Sequence, residues 1–445
     1  MATEKGKKDE GKEPKKADKG GSGGGSKGGS GGGSGPTQPE YADDNIRLGA
    51  AGQSLFTKAA AVGAVGLAAA VGLGSSAGDG FKRFSLSYTT AFMWVLALGL
   101  GALFWVILQN LVNAHWSIVL RRVGEIVAAQ APLLAILALP IVVPIFTGNS
   151  SIYIWSNHEA MSANHALHKK AAYLNSSFFL IRFIVYFGFW TLISRYFLNS
   201  SLAQDASKDP KSIMGKMRAV AGPAMIGWAL TMTFCSVDLL MSLDPMWFST
   251  IFGVYYLASC VQGINAFLAL VAMFLHKQGV LKKSVTTEHF HDLGKMVFAF
   301  TVFWAYIGFS QFMLIWYANI PEETGWFKER FAGGWCSGWG LLSATLLFGH
   351  FVIPFFGLVS RHIKRKRPTL AFWAIWQLVM IYLDMYWLVM PNTKAEAPPF
   401  ALIDICCVIG VLGVFIAGIA YRAKSLNLMP TNDPRLPKSL AFTNL

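Results

Sequence analysis

The sequence predicts an all-α integral membrane protein with about ten transmembrane helices, and three observations lead to that fold class. Of the 445 residues, 53% are hydrophobic and only 14% are charged, whereas a soluble domain carries about 25% charged residues. Ten apolar blocks follow one another, each long enough to cross a bilayer, which takes about 20 residues. Lysine and arginine lie in the segments between these blocks, as the topology of a membrane protein requires, and not on one compact basic domain. This distribution disfavours a basic nucleic-acid-binding protein.

The N-terminal residues 1–50 are predicted to form a disordered cytoplasmic tail. Residues 1–19 mix lysine with acidic residues, and residues 20–35 are almost entirely glycine and serine, a composition that engineered linkers and natural tails share. Such segments bury too little apolar area to fold. Residues 51–425 are predicted to form the transmembrane domain, and residues 426–445 a C-terminal cytoplasmic tail.

The ten predicted helices follow in series. Their approximate spans are 53–74, 87–112, 117–146, 172–197, 216–242, 247–275, 293–319, 333–360, 369–390 and 400–421. Three prolines, Pro132, Pro140 and Pro144, are expected to bend or end the third helix. Pro354 is expected to kink the eighth, because proline cannot donate a helix hydrogen bond.

The distribution of positive charge predicts the orientation of these helices. The side of the N-terminus receives most of the charge: Arg121, Arg122, Lys208, Lys211, Lys216, Arg218, Lys277, Lys282, Lys283, Lys295, the basic run 361–367, Arg422 and Lys424. The opposite side has only Lys82, Arg83, Lys169, Lys170, Lys328, Arg330 and Lys394. The positive-inside rule therefore predicts that both termini are cytoplasmic.

The longest predicted external loop covers residues 146–171 and is rich in polar side chains. It contains His158, Glu159, His165 and His168, which are candidates for docking a partner.

Polar residues at membrane depth are costly, so each is a candidate for function. One predicted group lies toward the outside: Arg182, Asp238, Asp384 and Asp404. Another lies toward the cytoplasm: Gln109, Glu125, Lys295 and His350. The ionisable members of both groups are candidates for a proton path. The structural alternative is that Arg182 pairs with a neighbouring aspartate, and Glu125 with Arg121 or Arg122 on the same helix face.

Resident cofactors are not expected in this chain. The five cysteines lie in apolar stretches without a CxxC motif, which disfavours metal and iron–sulfur sites. A membrane cytochrome b needs pairs of buried histidines, and only His350 lies well inside a predicted span. Nucleotide-binding motifs are absent from the sequence. Aromatic groups such as Trp304–Tyr306 suit helix packing or a membrane interface, and a quinone pocket is the alternative.

Three long strings of residues carry a resemblance to a known family. They are Asn157–Glu159 with His168–Asn175, Phe178, Phe179 and Arg182; Val237–Trp247; and His289–Lys295 with Trp316–Glu323. Together they resemble the ActF-type membrane subunits of bacterial alternative complex III, a quinol:electron acceptor oxidoreductase. These subunits are similar to the NrfD and polysulfide-reductase membrane subunits. The resemblance covers roughly residues 50–425.

The resemblance implies two four-helix bundles plus two peripheral helices in the bacterial inner membrane. It implies the partner subunits ActA, ActB, ActC, ActD and ActE, with haem c and iron–sulfur clusters held by those partners, and a terminal oxidase as a further partner. The expected function is a structural and proton-conducting role in quinol oxidation, with no catalytic residue and no redox centre in this chain. Menaquinone or ubiquinone is the ligand that the family allows.

Two other functions are compatible with the sequence. A stand-alone secondary transporter would also have many helices and buried charges. However, transporters have broken helices and a site at the membrane midplane, and the midplane here is expected to be aromatic and apolar. A purely architectural membrane anchor is the second alternative, and the sequence does not separate it from a proton-conducting subunit.

Overall fold

The computed structural model describes residues 44–148, 150–163, 165–336 and 338–444, and it describes only the backbone of His158. Residues 1–43 of the predicted N-terminal tail therefore lie outside the described residues. Helical structure dominates the described part of the chain.

Within the described residues, ten helices are long and apolar enough to cross a membrane. They are α1 (Gly49–Ser76), α2 (Lys82–Leu111), α3 (Ile118–Phe146), α4 (Ser176–Ala206), α5 (Pro210–Leu243), α6 (Phe252–Lys277), α7 (Thr287–Ala318), α8 (Gly338–Val359), α9 (Arg367–Thr393) and α10 (Leu402–Ala423). The predicted all-α membrane fold with about ten spanning helices is confirmed. The largest difference in the bounds is at the end of α4, which reaches Ala206 rather than residue 197.

Two of these helices, α3 and α8, are interrupted near their prolines, as the sequence predicts. Helix α3 consists of three pieces, Ile118–Ala128, Ala131–Leu137 and Leu139–Phe146. In α8 the segment Leu346–Val352 is a π-helix that ends just before Pro354. A proline ring clashes with the carbonyl four residues earlier, and the wider π turn relieves that clash.

The ten helices form two groups of four and one peripheral pair. Helices α2 to α5 pack together, as do α6 to α9, while α1 packs along α10. Helices α2 and α6 meet in the centre, where the backbones touch closely. A Cβ atom added to Gly101 of α2 would lie 2.1 Å from the Cys260 carbonyl of α6, so glycine permits this contact.

The peripheral pair is held by glycines on both helices. A Cβ atom at Gly63 would lie 2.7 Å from the Val414 backbone nitrogen, and one at Gly66 would lie 2.7 Å from that of Gly410. Small residues let helix backbones approach closely in a membrane, where van der Waals packing drives association.

The two described ends of the chain meet at one end of the helices, which we call the basic end. The Leu428 amide donates to the Ile46 carbonyl at 2.8 Å, and Arg47 pairs with Asn427. Farther along, His289 contacts the Ser439 carbonyl at 3.1 Å. Residues 426–444, predicted as a tail, therefore pack on the bundle.

Candidate functional site

The main candidate site is a buried polar cluster among α6 to α9, centred on Asp384. The Asp384 side chain is fully buried. Its carboxylate accepts hydrogen bonds from the Tyr255 hydroxyl, from the Trp304 indole nitrogen at 3.1 Å, and from Ser259 at 3.4 Å. Among the ion pairs found in the described residues, none includes Asp384. This carboxylate is therefore held by neutral donors alone.

His350 reaches the same cluster from the π turn of α8. Its ring stacks on Trp304, with 3.9 Å between the ring centroids. Its Nε2 donates to the Gln262 side-chain oxygen at 2.9 Å, because an amide oxygen can only accept. π turns in helices often occur at functional sites, and here the turn carries the one histidine of the cluster.

Two further side chains extend the cluster across the middle of the bundle. The Gln262 amide nitrogen donates to the Thr301 hydroxyl at 2.9 Å, and so does that of Gln377. Within the described residues, Nδ1 of His350 and Oε1 of Gln377 are buried without a hydrogen-bond partner. The cluster therefore keeps open positions for a proton or a water molecule.

A cavity of about 380 Å³ adjoins this cluster on the side away from the basic end. Tyr255 and Trp304 belong to both the cluster and the cavity wall. The rest of the wall is mainly aromatic and includes Phe309, Phe312, Phe327, Phe331, Phe351 and Trp387. A flat apolar ligand is the kind that such a wall accommodates.

Arg330 lies buried beyond the cavity, in the short helix Pro321–Arg330. Its guanidinium donates to the carbonyls of Trp387 and Leu388 at 3.2 and 2.9 Å and stacks on Trp326. Burial lowers the pKa of Arg330 to about 9, so the group still carries its charge at neutral pH. It binds the last turn of α9 and thereby positions Trp387 in the cavity wall.

An apolar layer closes the cluster toward the basic end. Ala266, Val297, Leu358 and Ala374 are all fully buried and pack together. They lie about one helical turn beyond Gln262, Thr301 and Gln377. The cluster therefore has an apolar layer on the side of the basic end and the cavity on the other side.

The structure joins Asp384 and His350, which the sequence assigned to separate outer and inner groups. Trp304 binds Asp384 through its nitrogen and stacks on His350 with its ring. The pair therefore belongs to one cluster rather than to two groups, with Trp304 between the two side chains. The expected apolar midplane is wrong, because Gln262, Thr301 and His350 lie near the middle of their helices. Helical spacing alone does not show which faces of four helices converge.

Glu125 belongs to a different, ionic network near the basic end. It pairs with Arg121 at 3.1 Å and with Arg122 at 3.2 Å, as the structural alternative predicted. Arg121 also pairs with Asp433, and Arg122 with Asp205 at 3.0 Å. These contacts tie α3 to α4 and to the C-terminal residues, which favours a structural role for Glu125.

Arg182 and Asp238 bind each other through two hydrogen bonds of 2.8 and 3.0 Å. Tyr186 donates to the same carboxylate at 2.8 Å, and the guanidinium lies 3.9 Å from the Tyr173 ring centroid. The predicted alternative of an arginine–aspartate pair is confirmed. The Arg182–Asp238 pair connects α4 to α5.

The remaining two candidates for a proton path are also paired. Asp404 binds Arg83 at 2.6 Å and accepts the Ala401 amide at the start of α10. Lys295 pairs with Asp292 one turn earlier and donates to Asn444 at 2.7 Å. With 47% of its side chain exposed, Lys295 is not enclosed in the bundle.

The predicted docking loop forms short helical pieces above the first bundle. Glu159, His165 and His168 are exposed, while the side chain of His158 lies outside the described residues. Tyr153 and Trp155 anchor the loop by donating to the carbonyls of Leu239 and Ser242. Exposed polar groups on an anchored loop leave the docking prediction open.

Tyr255, Ser259 and Gln377 were not singled out from the sequence, although their spacing carries a signal. Tyr255, Ser259 and Gln262 follow at positions i, i+4 and i+7, which places them on one face of α6. Gln377 and Asp384 are likewise seven residues apart on α9. Polar residues at this spacing within apolar spans indicate a shared polar face.

No group of three or more potential metal-ligating side chains was found in the described part of the chain. No protein-family model matches the sequence, and no curated protein matches it.

Proposed function

We propose that this chain is a membrane subunit of a quinol-oxidising respiratory complex of the alternative complex III kind, with a structural and proton-conducting role. In this proposal it lies in the bacterial inner membrane with both termini in the cytoplasm. The observation that carries the proton-conducting role is Asp384, a buried carboxylate without a cation, bonded into a polar cluster. The resemblance described above supports the assignment to this type of complex.

The cluster contains two groups that can hold a proton, Asp384 and His350. The Trp304 side chain lies between them. Trp304 donates a hydrogen bond but cannot accept one, so it does not itself pass a proton onward. Transfer between Asp384 and His350 thus requires a movement of Trp304 or a water molecule beside it. The apolar layer on the side of the basic end contains no group that can carry a proton. A proton path through the bundle therefore requires a second opening through or beside this layer.

Copurification tests the assignment to a complex. The chain is extracted from its native membrane in a mild detergent, and the sample is analysed for haem c and iron–sulfur clusters. Partner subunits that carry these groups are expected to remain attached. A chain that purifies alone in every detergent, without those partners, contradicts the assignment.

Two substitutions test the proton path within the assembled complex. Asp384→Asn and His350→Gln are expected to lower the number of protons released per quinol oxidised in reconstituted vesicles. His276→Gln is the matched control, because His276 is also buried but lies outside the cluster. Normal assembly, turnover and proton release in both variants would reject proton conduction and favour the architectural anchor.

The secondary transporter remains the main alternative, and the structure makes it more credible than the sequence did. Polar side chains lie at mid-depth, and α8 is interrupted beside them, as in many transporters. The two alternatives differ in copurification, since a transporter has no need of redox partners.

The aromatic cavity favours a second role, the binding of a quinone ring. Tyr255 supplies a hydroxyl at its wall, and the surrounding phenylalanines suit a flat ring and an isoprenoid tail. Ala305→Trp would fill the cavity, because Ala305 lines it. This variant is expected to lower the amount of quinone that copurifies, measured by extraction and chromatography, whereas unchanged quinone content would contradict the role.

A further inference from the structure

The C-terminal residues 431–444, which we call the strap, cross the basic end from the first bundle, α2 to α5, to the second bundle, α6 to α9. The first part of the strap binds the first bundle. The Asn432 side chain donates to the Gln204 carbonyl at 3.1 Å, and Asp433 forms a buried ion pair with Arg121. This part is therefore fixed to the start of α3 and the end of α4.

Ser439, in the middle of the strap, is bonded to both bundles and is fully buried. Its hydroxyl donates to the carbonyl of Trp116, just before α3, at 2.9 Å. Its carbonyl accepts a hydrogen bond from Nε2 of His289, on α7, at 3.1 Å. The Phe442 ring also packs on the His289 ring, with 5.8 Å between the centroids. One residue of the strap thus connects the start of α7 to the first bundle.

The last part of the strap binds the first turns of α7. The Asn444 side-chain nitrogen donates to the Glu288 carbonyl at 3.2 Å, and its side-chain oxygen accepts from Lys295 at 2.7 Å. The Glu288 carboxylate in turn pairs with Arg365, in the short helix that follows α8. The strap is therefore connected, through Glu288, to the end of α8 as well.

The two helices that the strap reaches form one side of the apolar layer below the polar cluster. Val297 of the layer lies two residues beyond Lys295 on α7, and Leu358 of the layer lies seven residues before Arg365. Both side chains are fully buried. The contacts of the strap thus fix the helix ends whose side chains separate the cluster from the basic end.

From this arrangement we infer that residues 436–444 of the strap are a latch that controls access to the cluster from the basic end. While they are bound, the apolar layer stays closed. When they detach, the start of α7 can move and water reaches the cluster around Asp384. The inference concerns access alone, so it holds for a transporter as well as for a respiratory subunit.

The two parts of the strap differ in how readily they detach. Residues 439–444 bind α7 mainly through hydrogen bonds, which contribute little net free energy each because water replaces the lost partner. Breaking the buried Asp433–Arg121 pair costs more, so the first part of the strap stays in place. Segments of this kind open locally while the rest of a protein stays folded. The fixed part keeps the detached residues close to α7 and lets them bind again.

The test measures how fast a small water-soluble thiol reagent modifies Val297→Cys, a cysteine placed in the apolar layer, with the chain in lipid nanodiscs. Cys336→Ser is the background, because Cys336 is exposed. Deletion of residues 436–445 removes the contacts with α7 and leaves the Asp433–Arg121 pair. The deletion is expected to raise the rate of modification about tenfold, since several hydrogen bonds are lost and each usually changes an equilibrium about fivefold at most.

A point variant tests the same latch in the full-length chain, and it decides the matter if the shortened chain does not fold. Asn444→Ala removes the side-chain hydrogen bonds to Glu288 and Lys295, and it is expected to raise the rate about fivefold. Thr443→Ala is the matched control, because Thr443 is the exposed neighbour of Asn444 in the strap. It is expected to react as the background does.

Two results would overturn the inference. The first is an unchanged rate at position 297 in Asn444→Ala. The second is an equal rise in the modification of Cys260, which is native, fully buried and on α6, because general loosening of the fold would then explain the faster reaction.

Discussion

At the scale of single residues, the buried carboxylates that the structure describes divide into those paired with a cation and one that is not, Asp384. Asp238, Asp404, Glu125 and Asp433 each pair with an arginine, whereas Asp384 is bound by neutral donors. Removing one partner of a buried pair leaves an uncompensated charge, which costs about 3–5 kcal/mol. The paired residues therefore hold helices together, and Asp384 is free to exchange its proton without breaking an ion pair.

Asp433, near the C-terminus, gives a pH-dependent prediction. Burial alone would raise its pKa, but Arg121 and Arg435 hold the pKa of this carboxyl well below its usual range. The pair therefore contributes stability that is fully present above the unfolded pKa of about 4 and is lost as the pH falls toward the folded pKa. Asp433→Asn is expected to unfold at a lower temperature than the wild type at pH 6.

The difference between the two proteins in thermal unfolding midpoint, measured in detergent, is expected to shrink below pH 4. Asp209→Asn is the control, because asparagine caps a helix as well as aspartate does and Asp209 caps α5 from an exposed position. A difference that stays constant from pH 6 to pH 3 would show that the charge on Asp433 does not stabilise the fold.

At the scale of helices, two local departures from a regular helix shape the protein. The π turn in α8 leaves backbone carbonyls for side chains of α9. Trp376 donates to the Gly349 carbonyl at 2.7 Å, and Gln377 to the His350 carbonyl at 3.3 Å. This bonding fixes His350 against Trp304. On the periphery, glycines bring α1 and α10 into backbone contact.

Gly66 provides the test of that peripheral contact. Gly66→Leu would push α1 away from α10, because a Cβ atom has no space there. The variant is expected to lower the thermal unfolding midpoint and to make the segment between α1 and α2 more sensitive to protease. Gly72→Leu is the control on the same helix, since a Cβ atom at Gly72 meets nothing within 4 Å. Equal behaviour of the two variants would mean that the close approach contributes little.

At the scale of the whole molecule, the charge distribution and the fold agree on one point. The start of α1 and the end of α10 lie at the same end of the bundle, where Lys424 donates to Gln53 at 2.9 Å. Most lysines and arginines gather at that end. The positive-inside rule then predicts that the basic end is cytoplasmic, and a native cysteine can test this prediction.

Cys336 lies in the connection between α7 and α8, at the opposite end, and it is exposed. A membrane-impermeant maleimide is expected to label it in right-side-out vesicles, and Cys336→Ser is expected to abolish the signal. In the Cys336→Ser background, Lys208→Cys is expected to react only in inside-out vesicles. The reverse pattern of labelling would contradict the proposed orientation.

The sequence predicted the helices well and the contacts between their polar side chains unevenly. Arg121, Arg122 and Glu125 lie one turn apart on one helix, so their pairing follows from helix geometry. The meeting of Asp384 with Tyr255 and Trp304 joins three helices, and no spacing within one helix determines it. Asp433 falls in the segment predicted as a C-terminal tail, and its partner Arg121 lies more than 300 residues earlier in the chain.

By itself, the sequence determined the fold class, the number of spanning helices, their approximate bounds and the end at which the charges gather. These properties depend on local hydrophobicity and charge, which are read along the chain. Only the tertiary structure decided that Asp384 has no cation, that His350 shares Trp304 with it, and that residues 426–444 close over the basic end. Those properties depend on which helix faces converge, and convergence is set by packing among residues far apart in the chain.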